Sequence, residues 1–95
     1  MKKIIILIPV FNDWESLNKL LTEIENTIKN FKNIEFNIIV INDASTMPRP
    51  KIKKLLNMKS IKIVNMKKNK GHARCIAFGL RYICKHNKFD YLILM

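Results

Sequence analysis

The sequence predicts an α/β fold, in which helices cover both faces of a parallel sheet of four strands. The prediction rests on apolar runs without polar alternation, on amphipathic stretches with helical spacing, and on their alternation in the order βαβαβαβ. Residues 38–41, for example, are consecutive β-branched side chains, which is typical of a strand buried on both faces. Strands that alternate with helices form βαβ units with right-handed crossovers, so we expect a Rossmann-like sheet with the strand order 3-2-1-4.

Two strands and one helix are predicted in the first half of the chain. The first strand covers residues 3–10, and the second runs from Phe36 toward Asp43. Between them, Asn12 resembles the N-cap of a capping box and opens a helix over residues 13–30. The apolar positions of this helix recur every three or four residues and are expected to face the core. They are Leu17, Leu20, Leu21, Ile24, Ile28 and Phe31.

The second half is predicted to contain two helices and two strands. A short helix over residues 51–57 precedes a strand over residues 60–66, whose lysines indicate an exposed strand. A longer helix follows over residues 71–86, and a fourth strand covers residues 91–95. The apolar stripe expected on the longer helix is Ala73, Ile76, Ala77, Leu80, Ile83 and Cys84.

A chain of 95 residues makes one domain at most. Under the expected strand order, the fourth strand is an apolar edge without a following helix, which folded proteins avoid. We therefore expect residues 1–95 to form a single subdomain that is a fragment of a larger domain, incomplete at its C-terminal end.

The apolar runs and the cysteines indicate the cellular location. The longest apolar run, residues 4–11, is too short to span a bilayer, and no signal-peptide cleavage site follows it. Cys75 and Cys84 lie nine residues apart on one predicted helix and cannot bridge each other. Unpaired cysteines fit a reducing compartment, so we expect a cytoplasmic protein.

The positive charge of the chain is unevenly distributed. The net charge is +11, and the stretch between Asp43 and Asp90 contains thirteen Lys or Arg residues and no Asp or Glu. Such a field attracts phosphate on a nucleotide, a nucleic acid or an anionic lipid surface. A general bias toward Lys in this chain also accounts for lysines at solvated positions. One hypothesis is therefore a non-enzymatic basic α/β module that binds nucleic acid or an anionic membrane surface.

The polar residues that carry the strongest chemical signal all follow predicted strands. In open α/β sheets, the ligand crevice lies at the carboxyl ends of the strands. Gly71 at a helix start exposes backbone N–H groups to an anion, and His72 and Arg74 add donors suited to a diphosphate. Turn formation and helix capping are the alternative roles of such residues. The candidate binding residues are Pro9, Val10, Phe11, Asn12, Asp13, Asp43, Ser45, Asn69, Gly71, His72 and Arg74.

Several familiar sites are absent from the sequence. It contains no P-loop, no Gly-x-Gly-x-x-Gly run follows the first strand, and the Cys and His residues lack zinc spacing. Asp13 and Asp43 are acids at strand ends, where a pair of carboxylates can serve acid–base chemistry. The residues alone therefore predict a basic, phosphate-binding crevice with one or two acids.

Together the three loops resemble the nucleotide-sugar-binding half of family 2 glycosyltransferases, which are inverting enzymes with the GT-A fold. Residues 8–13, Ile-Pro-Val-Phe-Asn-Asp, resemble the Ile-Pro-Val-Tyr/Phe-Asn-Glu of that family, and residues 41–45, Ile-Asn-Asp-Ala-Ser, resemble its Val-Asp-Asp-Gly-Ser. Residues 69–79, an Asn-x-Gly followed by small residues at four-residue spacing, resemble Asn-x-Gly-x-x-x-Ala-x-x-x-Gly. Asp13 stands in place of the usual Glu, and Asn42 replaces the first acid of its pair.

The resemblance implies a glycosyltransferase segment that binds a UDP-, GDP- or dTDP-sugar for transfer of the sugar to an acceptor hydroxyl or a lipid phosphate. Asp43 inherits the contact with the base or ribose. A divalent ion, Mg²⁺ or Mn²⁺, is implied for the full enzyme, with Asp-x-Asp ligands expected directly after Met95. No catalytic or metal-binding residue is therefore expected within the chain, and the 95 residues alone are expected to be inactive.

The Gly-His-x-Arg run at residues 71–74 is similar to family members that act on lipid-linked acceptors. It implies a lipid-linked acceptor and a role in the biosynthesis of cell-envelope polysaccharide or glycolipid. Peripheral association with the inner face of the membrane is a further expectation, and no specific nucleic-acid partner is expected.

Overall fold

The computed structural model of the protein describes residues 1–52 and 55–95. The elements are, in order, β1 (Lys2–Val10), α1 (Trp14–Ile28), β2 (Ile34–Asn42), β3 (Ser60–Asn65), α2 (His72–His86) and β4 (Tyr91–Leu94). The four strands form one parallel sheet with the order β3-β2-β1-β4, which confirms the predicted α/β class, the Rossmann-like topology and the strand order 3-2-1-4. In the part of the chain that is described, neither helix has the length and apolar character needed to cross a membrane.

β1 and β2 form the centre of the sheet and are buried on both faces. Alternate side chains of each strand point to opposite faces. Ile6 and Ile38 are paired in register and belong to the core under α1, whereas the pair formed by Leu7 and Ile39 belongs to the core under α2. The unbroken apolar runs of these strands therefore serve two cores, one on each face of the sheet.

α1 begins at a different N-cap from the one predicted. Asp13 caps the helix, and its Oδ1 accepts from the Ser16 N–H at 3.2 Å. The predicted capping role of Asn12 is wrong, because Asn12 adopts a left-handed conformation with φ of 62° and turns its side chain toward the loop after β2. The Asp13 carboxylate also lies at the positive end of the helix dipole, which stabilises the helix start.

The predicted apolar stripe of α1 packs on one face of the sheet except at its end. The helix stops at Ile28, so the expected core position of Phe31 is wrong. The Phe31 ring is 53% exposed and packs edge-on against Phe36, with 6.2 Å between the ring centroids. The buried residues of the helix are Trp14, Leu17, Leu21, Ile24 and Ile28.

α2 packs on the opposite face of the sheet, and of the predicted apolar stripe only Ile83 is among its fully buried residues. Its buried residues are Cys75, Gly79 and Ile83. Three residues that were expected in the core are exposed, namely Ala73, Leu80 and Cys84. The physical reason lies at Gly79, where a Cβ atom would be 2.7 Å from Leu7 Cδ1. The helix approaches the sheet along the face that carries its smallest side chain.

β4 is an edge strand that is bound to β1 at both ends. The Asp90 N–H donates to the Lys3 carbonyl at 2.8 Å, and the Lys3 N–H donates to Asp90 Oδ2 at 2.7 Å. At the other end, the Met95 N–H donates to the Leu7 carbonyl at 3.0 Å. The side chains of β4 are largely exposed, so this strand adds little to either core.

The connection between β2 and β3 differs from the helix predicted over residues 51–57. Residues 53 and 54 of that segment lie outside the described residues, and its remaining residues are not helical. Trp14 Nε1 donates to the Met47 carbonyl at 3.2 Å, which binds the beginning of the connection to α1. The connection therefore starts beside the carboxyl edge of the sheet.

Candidate functional site

Three loops at the carboxyl edge of the sheet line one cavity of about 310 Å³. The loops follow β1, β2 and β3, and the parallel arrangement of these strands brings their carboxyl ends to the same edge. Seven of the eleven candidate residues line this cavity together with one further residue. The lining residues are Pro9, Val10, Phe11, Asp43, Asn69, Gly71, His72 and Cys75.

Asp43 is the buried acid of the cavity, with a relative exposure of 3%. Its Oδ1 accepts from the Lys70 N–H at 2.8 Å, and its Oδ2 accepts from the Gly71 N–H at 3.1 Å. These bonds offset the unfavourable burial of a carboxylate, which is tolerated only when the group is hydrogen-bonded. Each carboxylate oxygen has two acceptor positions, so these bonds leave one position on each oxygen unused.

The loop before α2 is folded around Asp43. Asn69 Nδ2 donates to the Asp43 carbonyl at 3.2 Å, and Asn69 Oδ1 accepts from the Gly71 N–H at 3.2 Å. Gly71 has φ of 86° and ψ of 161°, a conformation that is essentially restricted to glycine. It is the N-cap of α2 and provides no side-chain cap, so the first N–H groups of the helix favour negative charge at the cavity.

Asn12 and Ser45 bind the first two loops to each other and do not line the cavity. The Asn12 N–H donates to Ser45 Oγ at 2.8 Å. Asn12 Oδ1 accepts from the N–H groups of Thr46 and Met47 at 2.8 and 2.9 Å. The Ser45 N–H donates to Asn42 Oδ1 at 3.0 Å, which completes the turn. In the structure these two candidate residues act as loop formers, through side chains suited to turns.

Asp13 and Arg74 also lie outside the cavity. Asp13 lines a smaller neighbouring cavity of about 190 Å³, whose wall shares the segment 9–11 with the first cavity. Arg74 is exposed in the first turn of α2 and is not one of the lining residues. The contact of Arg74 with a diphosphate therefore stays a prediction.

Cys75 lines the cavity although it is absent from the candidate residues. It lies one helical turn after Gly71, and residues four apart share one face of a helix, so the spacing contained the signal. Its Sγ lies 3.7 Å from the Ile41 carbonyl oxygen. Burial, and secondarily the charge of Asp43, raise the pKa of the Cys75 thiol to about 11. Cys75 is therefore a protonated, apolar part of the cavity wall.

The carboxylates of the site do not form a metal centre. Within residues 1–52 and 55–95, no group of three His, Cys, Asp or Glu side chains is placed to hold a metal ion. Both oxygens of Asp43 accept from backbone N–H groups, and Asp13 caps α1. The described residues of the site do not fit the divalent ion that the family resemblance implies.

The fold and the cavity define an open, parallel α/β domain whose loops form a crevice at the carboxyl edge of the sheet. The sequence matches the family model described as glycosyl transferase family 2 over residues 5–95. The chain belongs to the family 2 glycosyltransferases, which confirms the resemblance carried by its three loops. No curated protein and no solved structure matches the chain.

Proposed function

We propose that the cavity binds the nucleotide part of a UDP-, GDP- or dTDP-sugar, the donor for transfer of a sugar to an acceptor hydroxyl or a lipid phosphate. The observation that carries the proposal is Asp43, a buried carboxylate at the junction of the loops that retains free acceptor positions. Membership of the glycosyltransferase family supports a sugar donor over the nucleic acid of a non-enzymatic basic module.

The lining residues offer matching chemistry to each part of a nucleotide. The Asp43 carboxylate suits a ribose hydroxyl or a base N–H, both of which are donors. Phe11 is 47% exposed at the cavity and presents a flat ring to a base. The uncapped start of α2 at Gly71 and His72 favours the diphosphate. The cavity of about 310 Å³ also lies at the lower end of the ~300–1,000 Å³ range of ligand pockets.

The first prediction concerns Asp43→Asn and Asp43→Ala. Asparagine keeps the shape of the side chain but loses one acceptor oxygen, so one of the two backbone N–H groups of the 70–71 segment loses its bond to residue 43. Hydrogen bonds to charged groups contribute roughly 1.5–3 kcal/mol, so we expect the affinity for UDP, GDP or dTDP to fall at least about tenfold. Titration calorimetry with each nucleoside diphosphate measures this loss and identifies the preferred base.

Asp90→Ala is the matched control, because it removes one carboxylate and changes the net charge by the same amount. Asp90 bonds Lys3 at the start of β4 and does not line the cavity. We expect this variant to bind nucleotide like the parent chain, and thermal unfolding shows whether each variant is folded. Equal affinity of a folded Asp43→Asn variant and the parent would contradict the proposal, as would the absence of nucleotide binding by the parent.

The remaining parts of the reaction are proposed to come from outside residues 1–95, which then act as one nucleotide-sugar-binding subdomain. This is supported by the carboxylates at the site, since Asp13 and Asp43 already serve the main chain. A divalent ion and the general base would then be held by other residues of the full enzyme. A lipid-linked acceptor at the inner face of the membrane belongs to the same proposal, and the free cysteines Cys75 and Cys84 fit a cytoplasmic location.

A further inference from the structure

A further open cavity of about 880 Å³ lies along β3, and it shares no lining residue with the proposed nucleotide cavity. Its floor includes Ile61 and Ile63, which pack against the core on the α1 side of the sheet. Among the described residues, Arg49, Lys51 and Lys59 line it and carry positive charge. We call this surface the basic groove.

Leu56 is a large apolar side chain that lines the basic groove and is 86% exposed. The residues that follow it are held in place: Asn57 Nδ2 donates to Glu25 Oε1 at 2.9 Å, and Met58 is buried with a relative exposure of 7%. The Lys59 N–H then donates to a carbonyl of the neighbouring strand at 2.8 Å. These anchors hold the chain beside Leu56, which is directed into water next to the three cations.

No acidic side chain is among the described residues that line the basic groove. Glu25 is nearby, but its Oε1 accepts from Asn57 and its Oε2 is buried. The field at the groove is therefore positive. The groove also lacks an aromatic side chain among those residues, which removes the stacking that single-stranded nucleic acid uses.

We propose that the basic groove docks on a bilayer that contains anionic phospholipids. Arg49, Lys51 and Lys59 meet the lipid phosphates, and Leu56 enters the boundary between headgroups and acyl chains. Cations around an exposed apolar side chain provide the two contributions that interfacial binding requires. The connection that carries Arg49 begins at Met47, which Asn12 binds beside the nucleotide cavity. Docking of the groove therefore sets the orientation of that cavity relative to the membrane.

The test is cosedimentation of the chain with vesicles of phosphatidylcholine and phosphatidylserine, compared with vesicles of phosphatidylcholine alone. The groove variant combines Arg49→Gln, Lys51→Gln and Lys59→Gln. Each cation near an anionic surface contributes about fivefold in affinity, so we expect binding to fall about 100-fold. Leu56→Ser is expected to weaken binding about tenfold through the lost apolar insertion.

The control variant combines Arg81→Gln, Lys85→Gln and Lys88→Gln, which removes the same charge from α2 and the residues just after it. α2 covers the opposite face of the sheet, so we expect vesicle binding to stay within a few-fold of the parent. Both variants are checked by thermal unfolding and by UDP binding without vesicles, which does not depend on docking. Failure of the parent to bind UDP, GDP and dTDP would count against the nucleotide site and would leave the docking result independent.

Two patterns support the proposal and three overturn it. Preference of the parent for phosphatidylserine with selective loss in the groove variant supports it, and a decrease in binding at higher salt adds to that support. Equal loss in the groove and control variants would show a non-specific charge effect. Equal binding of the parent to both kinds of vesicle would also overturn the proposal. So would RNA binding by the parent that is lost in the groove variant, if the parent binds neither kind of vesicle.

Discussion

The two glycines of the chain lie at the start and in the middle of α2, and they are needed for opposite reasons. Gly71 has φ of 86°, and a Cβ placed on it would meet no atom within 4 Å. Gly79 lies within the regular helix, but its Cβ would lie 2.7 Å from Leu7 Cδ1 and 2.9 Å from Ile41 Cγ1. Glycine is therefore needed at position 71 because the backbone has a positive φ, and at position 79 because there is no room for a Cβ atom.

This difference separates two contributions to the cavity. Gly71 sets the direction of the loop, whose N–H groups bind Asp43. Gly79 sets the distance between α2 and the sheet, which seats Cys75 against Ile41 in the cavity wall. We therefore expect changes at the first glycine to affect mainly binding, and changes at the second to affect mainly stability.

The largest expected effect on stability is that of Gly79→Ala. Leu7 and Ile41 are both 0% exposed, so they cannot move into solvent to admit the new methyl group. Overpacking of this kind costs about 1–3 kcal/mol or more, and two contacts below 3.0 Å put it at the upper end, while the gain in helix propensity is about 1 kcal/mol. We expect the free energy of unfolding to fall by about 2 kcal/mol, as measured by urea denaturation.

The control for Gly79→Ala is its combination with Leu7→Val, which removes the two methyl groups nearest to the new Cβ. The loss caused by Gly79→Ala is expected to be smaller in this background by about 1 kcal/mol or more, because the two residues are in contact. If Gly79→Ala lowered the unfolding free energy as much in the Leu7→Val background as in the parent, the steric explanation of Gly79 would be wrong. It would also be wrong if Gly79→Ala alone left the stability unchanged or raised it.

Gly71→Ala is expected to have the reverse pattern. The space around Gly71 is open, so the strain of about 1–3 kcal/mol can be relieved by a shift of the loop. That shift weakens the bond between the Gly71 N–H and Asp43 Oδ2, and we expect UDP affinity to fall about tenfold. The loss of stability is expected to be less than that of Gly79→Ala. Titration calorimetry measures the loss of UDP affinity in both variants, and urea denaturation measures the loss of stability. The comparison would be refuted if Gly71→Ala and Gly79→Ala each lost both affinity and stability to the same extent.

The position of α2 also marks a limit of prediction from the sequence. The four strands and the two helices of the structure were predictable because buried parallel strands and amphipathic helices differ in apolar spacing, and residues 38–41, which include no polar side chain, are a clear case. The face of α2 that packs on the sheet was not predictable from the positions of its large apolar residues, because that criterion favours Leu80 over Gly79. The contact of Gly79 with Leu7 decides that face, and it joins residues that are distant in the sequence.

The same limit applies to the candidate site. Asp43, Asn69 and Gly71 were found because strand ends in a parallel sheet converge at one edge. Two sets of hydrogen bonds were not predictable, namely those between Asn12 and Thr46 and those from the 70–71 backbone to the Asp43 oxygens. They depend on loop conformations with positive φ and on partners that are far apart along the chain.

The smallest expected effect is a difference in the rate at which the two cysteines react with a thiol reagent. This difference reports how closely α2 packs on the sheet near its first turn. Burial, and secondarily Asp43, raise the pKa of Cys75 from 9.0 to about 11, whereas Cys84 lies exposed on the other side of the helix. Near neutral pH a maleimide is expected to modify Cys84 and to react with Cys75 at least about 100-fold more slowly than with a thiol of ordinary pKa, because the thiolate reacts. Mass spectrometry of the two cysteine peptides measures both rates, and equal rates would contradict the packing.

The same pKa shift predicts how the stabilising contribution of Cys75 depends on pH. The folded state holds the thiol proton more tightly than the unfolded chain, so this contribution is complete below pH 9.0 and is lost as the pH rises through about 11. The difference in unfolding free energy between the parent and Cys75→Ala is therefore expected to decrease over that interval. A constant difference in urea denaturation across it would mean that the thiol beside Gly71 is solvated, and that the close approach set by Gly79 does not extend to the cavity.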